Sequence, residues 1–316
     1  MNSSDNRPEG DGPGSLLGGK VVIVTGAGGG IGRDFALAMA AAGAKVVVND
    51  IGVSVHGEGG DEGPAHAVMQ EIRDAGGEAI ANTDSVADWD SAHRIVAAAI
   101  DHFGRIDAVV NNAGILRDRF FFNMSLDEWR SVIDVHLNGT FYVSRAAAGF
   151  FREQKSGAYI HLTSTSGLVG NMGQANYAAA KNGIAALSKS IAMDMHRYGV
   201  SSNCIAPFAF SRMVGSQPTD RPEIARKVER VKRMETRKIP PLGVYLAAQP
   251  GVEVTGQIFA VRANEIFLMS QSRPVRSVHR SEGWTPESVA EHAIPALRSG
   301  FYGLDRSSDV FCWDPI

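Results

Sequence analysis

Short apolar runs rich in Val, Ile and Ala recur along the chain, separated by longer amphipathic stretches. Lys20–Thr25 (KVVIVT) and Lys45–Asp50 (KVVVND) are two of them, with a helical pattern over Arg33–Ala42 between. The same kind of run returns at Glu78–Thr83, Asp107–Asn111, Ala158–Thr163, Val200–Ala206 and Gln257–Arg262. Runs without polar alternation read as strands buried on both faces. Strands alternating with helices of a dozen or more residues predict a parallel sheet covered on both sides. The expected fold is therefore α/β, a doubly wound sheet of about seven strands. Ser125 with Glu128 three residues on is a capping-box start for a long helix, Ser125–Glu153. Further helices are predicted over Gln174–Tyr198 and Thr285–Leu297, the latter with Thr285 as N-cap and Pro286 in its first turn.

The first strand runs straight into GAGGGIG, Gly26 to Gly32, and then into a helix. Glycines let a backbone turn tightly and approach a pyrophosphate, which rests on the N–H groups of a helix N-terminus. A Gly-rich string alone is weak evidence, but strand before and helix after make it a dinucleotide signature. Thr25, Gly26, Gly30, Ile31 and Gly32 are the expected cradle. Asp50 closes the second strand 24 residues past Gly26, where a ribose-reading acid belongs. A carboxylate there accepts from ribose hydroxyls and repels a 2′-phosphate, which favours NAD over NADP. Arg33 is the counter-argument, but it lies on the first helix and not at the end of the second strand. Asp84, with Ser85 beside it, closes the third strand and is placed to meet an adenine edge. NNAG, Asn111 to Gly114, follows the fourth, and Asn112, Ala113 and Gly114 let the backbone pass close to the cofactor. Pro207 follows the sixth strand, so that all these segments converge beyond the carboxyl ends of the sheet.

Chemistry is carried by TSTSGLVGNMGQANYAAAKNG. Tyr177 and Lys181, at i and i+4, share one helix face, and Ser164 ends the fifth apolar run thirteen residues before Tyr177. A free phenol titrates near 10 and is a poor acid or base at neutral pH. An ammonium one turn away, together with a cationic cofactor ring nearby, is expected to favour the phenolate and lower that value. Tyr177 would then move the proton, Ser164 would hold the substrate oxygen, and Lys181 would tune the phenol. Alone, such a pair is common on amphipathic helices; its weight comes from the glycine turn upstream.

Over about Gly19 to Arg262 the motifs together make the chain resemble the short-chain dehydrogenase/reductase family of the Rossmann superfamily. VVVND, GGEAIANTDSV, FGRIDAVVNNAGILRDR and GNMGQANYAAAKNG resemble more narrowly the (3R)-hydroxyacyl-CoA dehydrogenase domains of peroxisomal multifunctional enzymes of type 2, and their single-domain actinobacterial relatives. The resemblance implies a Rossmann-type sheet and NAD-dependent oxidation of a 3-hydroxyacyl-CoA in fatty-acyl or steroid side-chain β-oxidation. It gives Ser164, Tyr177 and Lys181 the roles just argued, with Lys181 also holding the nicotinamide ribose. The chain departs from the family pattern at HLNG, where His136 stands at the position of a catalytic Asn, as it does in the type 2 enzymes, and Asn138 lies two residues on. It departs again at Pro207-Phe208, in place of Pro-Gly, with Ser211 where a Thr meets the nicotinamide amide. The third departure is the segment after Arg262. Phe208 and Met213, in the variable loop, are the expected substrate contacts.

The chain has 316 residues and a net charge of −3 of mixed signs, which argues against nucleic acid as a partner. Its two cysteines, Cys204 and Cys312, have no metal-ligand spacing and fit a reducing, cytoplasmic setting. No apolar stretch reaches membrane-spanning length, and the final WDPI is not a peroxisomal signal. The organisation predicted is a disordered leader over 1–18, a catalytic domain over 19–262, and a C-terminal extension over 263–316 that packs on the domain or a neighbouring subunit. Gly- and acid-rich Val53–Pro64 reads as a loop at the adenosine rim. The basic run Arg221–Lys238 is either a clamp for coenzyme A phosphates or a solvated face. Ala-rich faces of the two long helices predict a homodimer or homotetramer. The alternatives are a hydroxysteroid dehydrogenase, a 3-oxoacyl thioester reductase, which Asp50 disfavours if it needs NADPH, and a non-catalytic NAD sensor. The sensor would be marked by a broken Ser-Tyr-Lys set, and here the set is intact.

Overall fold

The computed structural model describes residues 16–52, 56, 59, 63–209, 233–249 and 251–311. Ser211, Met213, most of the basic run, most of the 53–64 loop, residues 1–15 of the leader and Cys312 lie outside the described residues. The strands are β1 (Val21–Thr25), β2 (Lys45–Asn49), β3 (Ala79–Asn82), β4 (Ala108–Asn111), β5 (Gly157–Leu162), β6 (Val200–Phe208), β7 (Ile258–Arg262) and β8 (Glu265–Leu268). They form one sheet in the order β3-β2-β1-β4-β5-β6-β7-β8, parallel throughout except for β8. The order reverses direction on either side of β1, which opens a crevice at the carboxyl ends of β1 and β4.

Both faces of the sheet are packed because neighbouring residues on each strand point to opposite sides. Val22 and Val24 of β1 meet Phe35 and Met39 of α1 (Gly30–Ala41), Val68 and Ile72 of α2 (Gly63–Asp74), and Leu246 of α8 (Pro240–Ala248). Val21 and Ile23 meet Ile95 and Val96 of α3 (Trp89–Phe103) and Val143 and Phe151 of α5 (Gly139–Gln154). The remaining inner helices are α4 (Leu126–Ile133), α6 (Thr165–Leu168) and α7 (Ala175–Met195). Leu17, within the stretch expected to be a disordered leader, is buried and donates its N–H to Ala42 O at 2.8 Å.

The expected sheet of about seven strands gains an eighth, beyond the expected limit at Arg262. Only Ala263 and Asn264 separate β7 from β8, and Ala263 takes the left-handed φ of 51° that closes the turn. Hairpin turns of this kind favour Asn-Gly or Asp-Gly, and the missing glycine hid this one. After β8 the tail forms α9 (Pro286–Ser288), a π turn (Val289–Ala293), α10 (Ile294–Leu297) and α11 (Ser307–Val310). Thr285 caps α9, where the sequence places a helix start. Among the described residues, no helix is long and apolar enough to cross a membrane.

Candidate active site

Thr25 ends β1 and Asn112 follows β4, and the two clip the strand ends together. Thr25 Oγ1 accepts from the N–H groups of Asn112 (3.0 Å) and Ala113 (3.1 Å), while Asn112 Nδ2 donates to the carbonyls of Thr25 and Gly26, both at 3.0 Å. A Cβ on Gly26 would lie 2.7 Å from Ala113 Cα, and one on Gly32 would lie 2.0 Å from Gly26 O. Glycine is required at both positions for the backbones to approach. Gly26 and Gly30 also have φ of 63° and 53°, which glycine adopts without strain. Above Gly29 and Gly30 a Cβ would meet nothing within 4 Å, and no side chain caps the N-terminus of α1. An open, glycine-walled turn below uncapped helix N–H groups fits a pyrophosphate. Ile31 packs partly buried against the core behind it.

Asp50 follows β2 and orders the turn, its Oδ2 accepting from Gly28 N (2.8 Å) and its Oδ1 from Gly52 N (2.7 Å). Arg33 does not approach it as a phosphate partner; Nη2 of Arg33 donates to both carboxylate oxygens of Glu71, at 2.6 and 2.8 Å. Asp84 and Ser85 have local partners that the sequence reading missed. The Asp84 carboxylate accepts from Arg94 Nε (2.7 Å) and Asn82 Nδ2 (2.9 Å), and Ser85 Oγ accepts from Ala87 N (3.2 Å).

Ser164, Tyr177 and Lys181 come together where β5 hands over to α6 and α7. Ser164 is the N-cap of α6, its hydroxyl accepting from Ser166 N at 3.1 Å and hydrogen-bonding the Tyr177 phenol. Lys181 is buried; Nζ donates to Leu162 O at 2.6 Å and stands 5.6 Å from the centre of the Tyr177 ring. Thr163 Oγ1 donates to Lys181 O at 2.6 Å, stapling α7 to the end of β5. The charge logic differs from the one expected. Burial, the largest effect, raises the Tyr177 phenol above its usual range, the Ser164 hydroxyl opposes this, and the nearby Asp118 carboxylate adds to it. Burial also pushes the Lys181 ammonium down to about 7. At the phenol, desolvation therefore outweighs the Ser164 hydroxyl.

His136 lies on a π turn, Asp134–Asn138, between α4 and α5. Single π turns within longer helices often mark functional positions. The imidazole meets Tyr177 edge-on at 5.2 Å, and its Nε2 lies 2.8 Å from Ile115 O. Its Nδ1 is buried with no hydrogen-bond partner among the described residues, and burial lowers its pKa to about 3, so it stays neutral. Gly114 makes room for it, since a Cβ there would lie 2.2 Å from His136 Cε1. Asn138 instead donates to Asp134 Oδ1 on its own helix, at 2.8 Å. Pro207 and Phe208, both half-buried, stand at the carboxyl end of β6.

A buried polar relay behind the site escaped the sequence reading. Asn111 Nδ2 donates to Ser144 Oγ (3.0 Å) and meets His161 Nδ1 (3.1 Å), while His161 Nε2 meets Ser202 Oγ (3.1 Å), itself 2.9 Å from Ser188 Oγ. An amide nitrogen only donates, so Nδ1 of His161 accepts and Nε2 carries the proton. The available signal was polar residues inside apolar strands, as in AYIHL and VSSNCIA.

The family model for short chain dehydrogenases matches residues 20–221. Hydroxyacyl-CoA dehydrogenase ChsB1 of Mycobacterium tuberculosis is 37% identical over 311 residues, covering 94% of this chain and 93% of that protein. Peroxisomal multifunctional enzyme type 2 of Mus musculus is 42% identical over 276 residues, 87% of this chain but only 36% of the enzyme's length. The crystal structure of a short chain dehydrogenase from Mycobacterium avium superposes with a TM-score of 0.78 at 39% identity, covering 92% of this chain and 98% of that one. Dehydrogenases of this kind generally use NAD or NADP, and the glycine turn has the shape that such a cofactor needs. With its fold, its glycine turn and its Ser-Tyr-Lys cluster, this chain belongs to the short-chain dehydrogenase/reductase family, oxidoreductases acting on CH–OH groups.

Proposed function

We propose that the protein is an NAD-dependent 3-hydroxyacyl-CoA dehydrogenase. The observation that carries the chemistry is the convergence of Ser164, Tyr177 and Lys181 beside the open glycine turn. The thioester class is supported by likeness to a hydroxyacyl-CoA dehydrogenase along almost the whole of both chains. The preference for NAD rests on Asp50, whose carboxylate would meet a 2′-phosphate with no cation spared from Arg33 to offset it.

The turn Gly26–Gly32 and the first N–H groups of α1 would hold the pyrophosphate, Asp50 the adenosine ribose, and Lys181 the nicotinamide ribose. Asn112, Ala113 and Gly114 would border the cofactor through their backbone, with Pro207 and Ser211 near the nicotinamide. Bound NAD supplies the hydride acceptor and a positive ring that favours the phenolate. Ser164 donates to the carbinol oxygen and orients it. Tyr177 takes the hydroxyl proton as the carbon gives up its hydride. Lys181, at about 7, takes up and releases a proton near neutral pH. His136 seats the Tyr177 ring by its edge-on contact. Asp84 and Ser85 would shape the adenine end, and Phe208 and Met213 would be the contacts to the acyl group.

Reduction of NAD followed at 340 nm, with (3R)- and (3S)-hydroxyacyl-CoA thioesters, sterol side-chain CoAs and free hydroxysteroids, tests this reading. Turnover of thioesters with NAD, and poor turnover with NADP, is the expected outcome. Activity confined to free sterols, or to NADPH in the reductive direction, would overturn it. Tyr177→Phe should lower kcat by about 10²–10⁴-fold, the span general acid–base catalysis contributes, while NADH fluorescence still reports binding.

The protein also forms a homodimer or homotetramer in this reading, through α4–α5 and α7, which expose Trp129, Phe141, Phe150 and Met193. Light scattering at micromolar concentration should give a multiple of the chain mass, and a monomer would refute the assembly.

A further inference from the structure

The tail touches the site at two points that the reaction itself does not use. Ser307, at the start of α11, donates its N–H (3.0 Å) and its hydroxyl (3.2 Å) to the carbonyl of Gly170. Gly170 lies between Ser164 and Tyr177, with a φ of 143° that a residue with a side chain rarely adopts. One turn on, Phe311 packs edge-on against Phe208 at 4.9 Å and against Phe267 of β8 at 5.3 Å.

This end of the tail is anchored. Arg262, 1% exposed, is paired with Glu265 at 2.7 Å, lies 5.6 Å from the Phe267 ring centre, and donates through Nη1 to Phe311 O at 3.5 Å. A buried cation with a carboxylate and a ring around it occupies one geometry, since leaving it would strand a charge away from water. Earlier in the tail, Tyr302 and Leu304 face solvent, whereas Ser307 and Phe311 turn inward.

In open α/β sheets ligands lie beyond the carboxyl ends of the strands. Phe208 is the last residue of β6 and Gly170 follows the catalytic serine, so the segment 305–311 spans the substrate side between them. We propose that Phe311, carried by the chain's own tail, is a specificity-determining residue that limits the size of the group attached to the reacting carbon. The inference rests on oxidation of an alcohol at Tyr177, but not on that alcohol being a CoA thioester.

The test measures kcat/KM for alcohols graded in size, both CoA thioesters and free alcohols, in the full-length protein and in Phe311→Ala and Phe311→Trp. Pocket contacts discriminate by about tenfold or more for small changes in apolar bulk. The ratio of bulky to small substrate should therefore rise about tenfold in Phe311→Ala and fall in Phe311→Trp. Mixed oligomers then assign the chain of origin. Phe311→Ala subunits co-assembled with excess Tyr177→Phe subunits should keep the altered ratio, because each working site carries its own altered tail. A readout apart from turnover is amide hydrogen exchange, which the ketone product of the preferred substrate should slow at 305–311. A ratio moved less than about twofold in both variants would overturn the proposal. So would a wild-type ratio in the mixed oligomers, or exchange that the ketone leaves unchanged. A shifted ratio seen on free alcohols, with thioesters inert, would sustain it while removing the thioester reading.

Discussion

Gly114 shows how a single residue is committed by its neighbour. As sequence, it belongs to NNAG and reads as a place where the backbone meets a cofactor; in the structure its missing side chain is the space that the His136 ring fills. Gly114→Ala should displace that ring and cost about 1–3 kcal/mol, the usual range for overpacking a filled site. Urea denaturation measures this, and an unchanged midpoint would show that the ring can yield. Tyr177 makes the complementary point. That it stands beside Lys181 is legible from i, i+4 spacing, but the direction of its pKa is not, because desolvation depends on how the surrounding chain packs. Asp84 reads as an adenine contact in the sequence and is tied to Arg94 in three dimensions, since nothing local announces a partner ten residues away on the next helix.

Among the elements, α4 is the most legible. Ser125 accepts from Glu128 N at 3.1 Å while the Glu128 carboxylate accepts from Ser125 N at 2.8 Å, so both halves of the predicted capping box are present. Ser125→Ala should destabilise the protein by about 1 kcal/mol, as a lost N-cap does, and denaturant unfolding against the parent reads it directly. A loss below about 0.3 kcal/mol would mean that Glu128 and its Arg119 partner suffice to hold the start of the helix. The π turn between α4 and α5 is not legible. The apolar period of α4 continues through HLNG, and a single inserted residue turns the ladder into a π turn without leaving a compositional mark. The hairpin into β8 is hidden for the opposite reason, a turn built without the residues that usually make it.

Across the whole molecule, two neutral histidines tie stability to pH. Burial holds both His136 and His161 down to about 3, far below the ordinary value of 6.5. Between those limits the unfolded chain binds protons that the folded chain excludes, so stability rises with pH there. It is fully present above about pH 6.5 and is lost as pH falls toward 3, with a slope of up to about 1.4 kcal/mol per pH unit for each histidine. Thermal midpoints measured from pH 7 to pH 4 should fall, and His161→Asn should lessen the steepness even if it lowers the midpoint at pH 7. A flat profile would show that both imidazoles can take up a proton within the folded protein.

Periodicity and local spacing, read from the sequence by themselves, determined the parallel α/β sheet, the glycine turn, the acid at Asp50 and the grouping of Ser164, Tyr177 and Lys181. These depend on strand and helix periods of 2 and 3.6 residues, and on glycine tolerating backbone that other residues do not. Only the tertiary structure decided that Gly114 faces His136, that Asn111, His161, Ser202 and Ser188 form one buried relay, and that Phe311 rests on Phe208. Those contacts join residues dozens of positions apart, and which of them meet is set by the order of the strands and by desolvation, neither of which leaves a local pattern in the chain.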